Sequence, residues 1–482
     1  MNSKKVLTNL IWRFLERCGA QIVNFVVTII LARLLSPEHY GTIALVTVFI
    51  TILQTFVDSG FGNALIQKKD ADDVDFSSVF YFNITSCTIL YIIMFFAAPY
   101  IAAFYKIPEL IPIVRVISLK LIIAGLKNVQ QAYVSRNMMF KKFFFATLIG
   151  TIGAAILGIT MAYFGFGVWA LVAQQLFNLT VDTILLWIMV KWRPKKVFSF
   201  RRLKGLLSYG WKLLAVSLMN NLYNEARQLV IGKVYTPADL ALYNKGRQFP
   251  DLFVKNINTS IDSVLLPAMS REQDNVGHVK AITRRSIRVS SFIMAPFMVG
   301  LALVSQPLIV FLLTEKWLEC APFMSVFCLA FLFKPINTAN LNAIKAMGRS
   351  DLFLLIDIFK IIVGIITLII AVPYGTMAIA LSFLISTVIS TLINVFPNKS
   401  LLKYGYIEQI KDLLNPIIPI LAMVLTTYAA GYLALSPLLM LCVQIPIGII
   451  TYITLSALTK NESFRYSLAM IKRLFKKRGN QK

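Results

Sequence analysis

Charge is what this sequence most lacks: Asp, Glu, Lys and Arg make up 15% of its 482 residues, where soluble globular chains average about 25%. Acidic residues are the scarcer half, 22 against 48 basic ones. Histidine occurs only at His39 and His278. Neither has the Cys, His or carboxylate neighbours that a metal site or nucleophilic triad needs, so metal and triad catalysis are not expected. No G-x-x-x-x-G-K-[ST] or G-x-G-x-x-G run is present to cradle a nucleotide, which excludes direct ATP hydrolysis through those loops. The five cysteines (Cys18, Cys87, Cys320, Cys328 and Cys442) lie mostly inside apolar segments; they read as small buried hydrophobes and not as a disulfide framework. Long polar loops are missing too. The longest run near 191–208 and 267–283, leaving no room for a soluble domain.

What fills the chain is hydrocarbon: 57% of residues are hydrophobic and the mean hydropathy is +0.72. The apolar residues come in blocks such as Ile43–Thr55, Ile84–Ala98, Phe143–Phe164, Ile361–Val372 and Ile417–Leu435. A bilayer crossing takes about 20 residues, and a backbone in lipid must satisfy its own hydrogen bonds. The blocks show no strand-like alternation, so helices are expected and a barrel is not. The pattern predicts an all-α polytopic membrane protein with about fourteen transmembrane helices. They fall near 11–35, 40–58, 76–98, 108–131, 142–164, 167–190, 208–234, 239–266, 284–305, 320–346, 351–371, 375–396, 413–433 and 437–458. Lys4 and Lys5 before apolar residues imitate a signal peptide, but Arg13, Glu16 and Arg17 interrupt the run without a cleavage site. The segment is expected to remain as the first helix.

A net charge of +26 invites a nucleic-acid reading until its placement is traced. Basic residues cluster at Lys4/Lys5, Lys68/Lys69, Arg136/Lys141/Lys142, 191–204, 271–288, 399–411 and 460–482. With a cytoplasmic N-terminus these groups fall in alternate loops on one side, as the positive-inside bias requires. The charge therefore reads as topology, with both termini cytoplasmic, plus attraction to anionic lipids. No nucleic-acid partner is expected.

A repeat appears at an offset of 200 residues. Ala32-Arg33-Leu34-Leu35-Ser36-Pro37, with Gly41 beyond, returns as Gly232-Lys233-Val234-Tyr235-Thr236-Pro237, with Ala241 beyond. Gln21 and Asn24 are matched upstream by Asn221 and Asn224, and Gly167-Val168-Trp169-Ala170 is echoed by Gly375-Thr376-Met377-Ala378. A shared order across three places indicates duplication. It predicts two six-helix lobes in pseudo-two-fold arrangement, 1–200 and 201–400, with two extra helices and a basic tail in 401–482.

Polar residues inside spans are costly, so their faces are informative. Arg13, Arg17, Gln21, Asn24 and Thr28 recur every three or four residues and share one face of the first helix. Ser217, Asn221, Asn224 and Gln228 repeat the stripe on the seventh, and Arg247, Asp251, Lys255, Asn258 and Asp262 form another on the eighth. Arg115, Lys120 and Lys127 mark the fourth helix; Lys212, Glu225 and Arg227 the seventh; Lys334, Asn337 and Thr338 the tenth. Asp58 and Asp182 lie near helix ends. Such faces fit a wet, net cationic cavity better than lipid. Plainer roles compete: Arg247/Asp251 and Asp251/Lys255 have intrahelical pairing distance, as do Asp357 and Lys360, and Arg13 and Arg17 have the reach to snorkel. Asp58-Ser59 and Asp262-Ser263 also suit caps or inter-helix hydrogen bonds.

The duplicated halves, the spare terminal pair and the turn Leu31-Ala32-Arg33-Leu34-Leu35-Ser36-Pro37-Glu38-His39-Tyr40-Gly41 together resemble a known group. Asp58-Ser59-Gly60-Phe61-Gly62-Asn63-Ala64-Leu65-Ile66-Gln67 and Ala346-Met347-Gly348-Arg349-Ser350-Asp351 carry the likeness further. The chain resembles polysaccharide-transport (Wzx-like) flippases of the multidrug/oligosaccharidyl-lipid/polysaccharide exporter superfamily, in the O-antigen, colanic-acid and teichuronic-acid branch. The resemblance implies a transporter and not an enzyme. Its substrate would be an undecaprenyl-pyrophosphate-linked oligosaccharide, moved from inner to outer leaflet of the bacterial cytoplasmic membrane by alternating access. No cofactor is implied beyond a proton or sodium gradient, with Asp58, Asp182, Glu225, Asp251 and Asp262 as the carboxylates available for coupling. Pathway glycosyltransferases and a polysaccharide polymerase are the implied partners. Arg115, Lys120, Arg247, Lys255 and Lys334 suit pyrophosphate or acidic sugars, and Gln21, Asn24, Asn221, Asn224, Asn258 and Asn337 suit sugar hydroxyls. Helices 13 and 14 would offer the prenyl tail a groove. The rivals are a multidrug cation antiporter of the same fold, which the cationic stripes oppose, and a membrane-embedded glycan polymerase or ligase, which would want a large outer loop.

Overall fold

The computed structural model describes residues 3–58, 61–466 and 468–469, and these are helical almost throughout, with no strand among them. The helices of the first half are α1 (Ser3–Leu34), α2 (Pro37–Asp58), α3 (Phe61–Gln67), α4 (Asp73–Tyr105), α5 (Leu110–Ile117), α6 (Leu119–Arg136), α7 (Phe140–Tyr163), α8 (Val168–Met189) and α9 (Phe200–Val234). The second half holds α10 (Pro237–Arg271), α11 (Val276–Leu303), α12 (Ser305–Leu313), α13 (Cys320–Phe331), α14 (Lys334–Ala346), α15 (Ser350–Ala371), α16 (Thr376–Leu401), α17 (Tyr406–Leu413), α18 (Ile417–Ala430) and α19 (Pro437–Leu458). The side chains of Arg13, Arg17, Asp58 and Lys212 lie outside the described residues.

The chain packs as two compact units, 1–241 and 242–482. In the first, α7 lies between α1 and α8, α6 joins α4 and α8, and α9 packs against α2, α3 and α4. In the second, α11 contacts α13, α14, α17 and α18, while α15 pairs with α16 and α18 with α19. The division between the two units falls in the first turns of α10. Two contacts hold α9 to α2: Asn221 Nδ2 donates to Thr55 Oγ1 at 2.8 Å, and Gly232 leaves room for the Leu45 side chain.

The repeated motifs build the same turns. At the first, Ser36 Oγ meets His39 Nδ1 at 3.0 Å ahead of Pro37. At the second, Thr236 Oγ1 donates to Asp239 Oδ2 at 2.6 Å and accepts from the Asp239 amide at 3.1 Å ahead of Pro237. Each is a hydroxyl N-cap answered three residues on, with proline at the first helical position where its missing N–H costs nothing. Gly41 and Pro237 touch: a Cβ on Gly41 would overlap the Pro237 carbonyl. Gly167 and Gly375 occupy equivalent places before α8 and α16, both at positive φ (54° and 100°), where a side chain would be strained.

By length and composition, nine helices among the described residues suit a membrane crossing, or ten if the bent pair Tyr406–Leu413 and Ile417–Leu433 is one span. The criterion stops short of the expected fourteen or so. Left out are α1, the α5–α6 pair, α9 and α10, the helices that carry the polar stripes. Polar and charged residues remove α6, α9 and α10, whereas α5 and the apolar stretch Gly19–Leu34 of α1 fall short in length.

Proline inside a helix strips the carbonyl four residues earlier of its partner. Two such carbonyls are answered from another helix. Pro99 in α4 frees the Phe95 carbonyl, toward which Arg115 Nε points at 3.4 Å. Pro296 in α11 frees the Phe292 carbonyl, which the Tyr452 hydroxyl of α19 reaches at 2.7 Å.

Candidate functional site

Each unit carries a polar face within its long helices. In the first, α6 and α8 run side by side and share two contacts at the same register. Lys120 Nζ donates to Gln175 Oε1 at 2.9 Å, and seven residues along both helices Lys127 Nζ meets Asp182 Oδ2 at 2.5 Å. Seven residues are two helical turns, so both pairs lie on the facing sides. On another side of α8, Gly150 of α7 seats against the backbone at Asn178 and Asp182. Asp182 is 5% exposed and Lys127 18%, while the second carboxylate oxygen of Asp182 has no hydrogen-bond partner.

The other predicted residues of this unit are distributed more widely. Arg115 stands over the Phe95 ring, 4.3 Å from its centroid, and shares no partner with Lys120. Asn221 is engaged with Thr55. Gln228 hydrogen-bonds Glu225 on the same helix. Gln21 is half-exposed, and Asn24 and its repeat counterpart Asn224 are exposed. Asp58 cannot be assigned a place, since its side chain is outside the described residues.

In the second unit the stripe of α10 meets α14. Asn258 Oδ1 accepts from Thr338 Oγ1 at 2.7 Å and Asp262 Oδ1 from Asn342 Nδ2 at 2.6 Å. Lys334 is exposed at the start of α14, within coulombic reach of Asp251, Asp262 and Arg247. Arg247 stacks on Phe383 of α16, 5.3 Å from the ring centroid, a cation–π contact that leaves its donors usable. No ion pair among the described residues joins Asp251 to Arg247 or Lys255, although both spacings allow one; Lys255 is exposed. Asp357 and Lys360 do pair, at 3.3 Å.

Asn337 leads into a set of amides that the sequence reading missed. Its Nδ2 donates to Thr391 at 2.9 Å and its oxygen accepts from Asn394 at 2.5 Å. Asn398 Nδ2 donates to Asn340 Oδ1 at 2.9 Å, and Asn340 donates to Gln409 at 2.7 Å. The ladder ends at the basic end of the unit, where the Tyr404 carbonyl accepts from Gln409 at 3.1 Å and the Tyr404 hydroxyl reaches Asp412 at 2.8 Å. The spacings Asn337/Asn340 and Asn394/Asn398 are helical and were the available signal. Also missed were Gln175 and Lys245, which is buried with its ammonium 5.6 Å from the Trp317 ring.

Charges at the basic end of the first unit fasten loops. Asp72 caps α4, accepting from the amides of Val74 (3.1 Å) and Asp75 (3.0 Å). Its carboxyl also meets Arg202 at 2.5 Å, and that guanidinium holds its pKa down to about 2. Lys195 lies 2.7 Å from Asp73. Arg136 donates to the carbonyls of Leu65, Lys68 and Lys69, closing the end of α3.

No group of three or more His, Cys, Asp or Glu able to hold a metal occurs among the described residues. The chemistry on offer is recognition: ammonium and guanidinium groups, amides and hydroxyls held within apolar helices.

Comparison with known proteins agrees with this architecture. The teichuronic acid biosynthesis protein TuaB of Bacillus subtilis (strain 168) is 22% identical over 466 residues, 94% of this chain and 95% of its own. The succinoglycan biosynthesis transport protein ExoT of Rhizobium meliloti (strain 1021) is 24% identical over 330 residues, covering 68% and 67%. Among solved structures, the lipid II flippase MurJ in an inward closed conformation superposes with a TM-score of 0.75 at 17% identity, over 94% of this chain and 98% of that one. The fold is therefore that of MurJ, and the polytopic helical architecture expected from sequence is present. The model of the family described as "Polysaccharide biosynthesis protein" matches residues 30–322, and the chain belongs to that family.

Proposed function

We propose that this protein is a flippase for an undecaprenyl-pyrophosphate-linked oligosaccharide, the repeat unit of a surface polysaccharide. It carries the unit from the inner to the outer leaflet of the bacterial cytoplasmic membrane by alternating access. The observation that carries the reading is the α10–α14 face. An exposed lysine, Lys334, stands among Arg247, Asn258 and Asn337 on helices of a membrane protein, beside α16. A pyrophosphate bearing sugars cannot cross hydrocarbon unaided, and it needs cations together with amide and hydroxyl partners. The names of TuaB and ExoT, and the fold shared with a lipid II flippase, support the same substrate class.

Arg247, Lys255 and Lys334 with Asn258 and Asn337 serve the headgroup within the second unit; in the first unit Arg115 and Lys120 already have protein partners, and Gln21, Asn24, Asn221 and Asn224 remain candidates for sugar hydroxyls. Coupling to a proton or sodium gradient falls to one of Asp58, Asp182, Glu225, Asp251 and Asp262. Glycosyltransferases supply the lipid-linked unit, and a polymerase receives it.

The test is complementation. Expressed in a strain whose own repeat-unit flippase is deleted, the wild-type chain should restore surface glycan, and Lys334→Ala should lower export while membrane abundance is unchanged. Failure to complement, together with resistance to cationic drugs, would establish the multidrug antiporter instead. Glycosyl transfer by the purified protein would establish a polymerase or ligase.

A further inference from the structure

At the basic end of the second unit, a cavity of about 320 Å³ is walled by Arg284, Arg285 and Arg288 of α11 and by Glu462, Ser463 and Tyr466 beyond α19. Its construction begins with Asp412, whose side chain is 1% exposed and accepts from Arg284 Nε at 2.7 Å, Arg288 Nε at 2.5 Å and the Tyr404 hydroxyl at 2.8 Å. A buried carboxylate that draws in two guanidinium groups through Nε fixes their planes and turns their remaining nitrogens elsewhere. Arg288 spends one of these on Glu462 at 2.5 Å. Arg284 makes no further hydrogen bond or ion pair among the described residues. Arg285 lies over the Tyr466 ring, 5.1 Å from its centroid, and pairs with no carboxylate among them. Ser463 Oγ accepts from Asn415 at 3.1 Å, so its own proton is available.

Three guanidinium groups thus face two carboxylates, and both carboxylates are already engaged. What the cavity has left to offer is donors and positive charge. Its complement is an oxyanion with several acceptors, and phosphate is the common one that guanidinium forks match. Depth narrows the source. Arg288 is one turn from Phe292, which packs in a buried apolar cluster with Ile420, Met423, Tyr452 and the adjoining Phe464. Beside it, α18 and α19 expose Ile418, Leu421, Leu425, Ile449, Ile450 and Ile453, a surface suited to acyl chains and not to water. We propose that this cavity binds the phosphate of an anionic phospholipid headgroup at the basic end of α11, with the acyl chains lying along α18 and α19. The site is separate from the α10–α14 face and does not depend on the identity of the transported substrate.

The experiment uses the full-length protein in a zwitterionic detergent. Its melting temperature is followed against dioctanoyl phosphatidylglycerol, the matching phosphatidylcholine and inorganic phosphate. Saturable stabilisation by phosphatidylglycerol alone is expected. Arg285→Gln, which breaks no ion pair of the fold, should weaken the half-saturation about tenfold, and Arg285→Lys should retain part of it. Lys399→Gln, at the same end but outside the cavity, should leave it unchanged. Equal stabilisation by phosphatidylcholine overturns the proposal, as does unaltered affinity in Arg285→Gln. Equal weakening by Arg285→Gln and Lys399→Gln would mean diffuse attraction, and full stabilisation by inorganic phosphate would mean a free-anion site; either also overturns it.

Discussion

The Lys127–Asp182 pair allows a quantitative test of how the first unit tolerates charge between α6 and α8. At 2.5 Å, with the two side chains 18% and 5% exposed, each ion depends on the other. Removing one partner of a buried pair strands the survivor and costs about 3–5 kcal/mol, whereas replacing both by apolar groups is close to neutral. Two features put this pair at the lower end. Lys127 keeps some exposure, and one Asp182 oxygen is already unpartnered. Asp182→Ala and Lys127→Met are therefore each expected to cost about 3 kcal/mol, roughly a hundredfold in the unfolding equilibrium. The double variant is expected within about 1 kcal/mol of wild type. The assay is unfolding by sodium dodecyl sulfate in mixed micelles, read by tryptophan fluorescence, which Trp187 on α8 reports. Single variants costing less than about 1 kcal/mol, or a double variant costing the sum of the two, would refute the reasoning.

The proline in α11 gives a second cycle. Tyr452→Phe leaves the Phe292 carbonyl without its partner and should cost about 1–3 kcal/mol; adding Pro296→Ala restores the helical N–H and should recover most of it, measured in the same unfolding assay. Gly41→Ala puts a methyl onto the Pro237 carbonyl, so a loss of about 3 kcal/mol or more and reduced membrane abundance are expected, with wild-type melting as the refuting result. The Asp72–Arg202 contact should be insensitive to physiological pH. The folded carboxyl titrates near 2, below its ordinary 3.8, so its contribution is complete above about pH 4 and is lost as pH falls toward 2. Hydrogen exchange across 68–75 should be flat in protection from pH 8 to 5, and a drop within that window would contradict the assignment.

Much of the helical frame was legible because hydropathy and turn chemistry are local. Ser36-Pro37 and Thr236-Pro237 announce a capped helix start wherever they stand, and both build the same turn. Partnerships were harder, because they depend on which helices become neighbours. Lys120 and Lys127 are seven residues apart, as are Gln175 and Asp182; the matching intervals hold the register of α6 on α8, but nothing local says that those two helices meet. Arg115 looked unpaired because its own helix has no carboxylate. Its partner is a main-chain carbonyl released by Pro99, and a carbonyl leaves no letter in the sequence. Lys245 was overlooked beside Arg247 for a related reason: two positions along a helix turn a side chain to a different side, here toward Trp317.

The same distinction divides the candidate cations by task. A cation already satisfied by its own protein has least to gain from a ligand, since binding must first give up the existing contact. Arg115 answers the Phe95 carbonyl and ring, and Lys120 answers Gln175. Lys334 and Lys255 are exposed, with no hydrogen bond from the ammonium and no ion pair among the described residues. Arg115→Ala, which orphans a carbonyl inside a membrane helix, should cost about 1–3 kcal/mol and lower abundance. Lys334→Ala and Lys255→Ala should leave the melting temperature alone and lower glycan export per molecule. The measurement is surface glycan normalised to membrane protein in the complemented strain, alongside melting of each purified variant. Should Arg115→Ala reduce export at full stability while Lys334→Ala exports normally, the division fails, and the working cations of the route belong to α5 instead of α14.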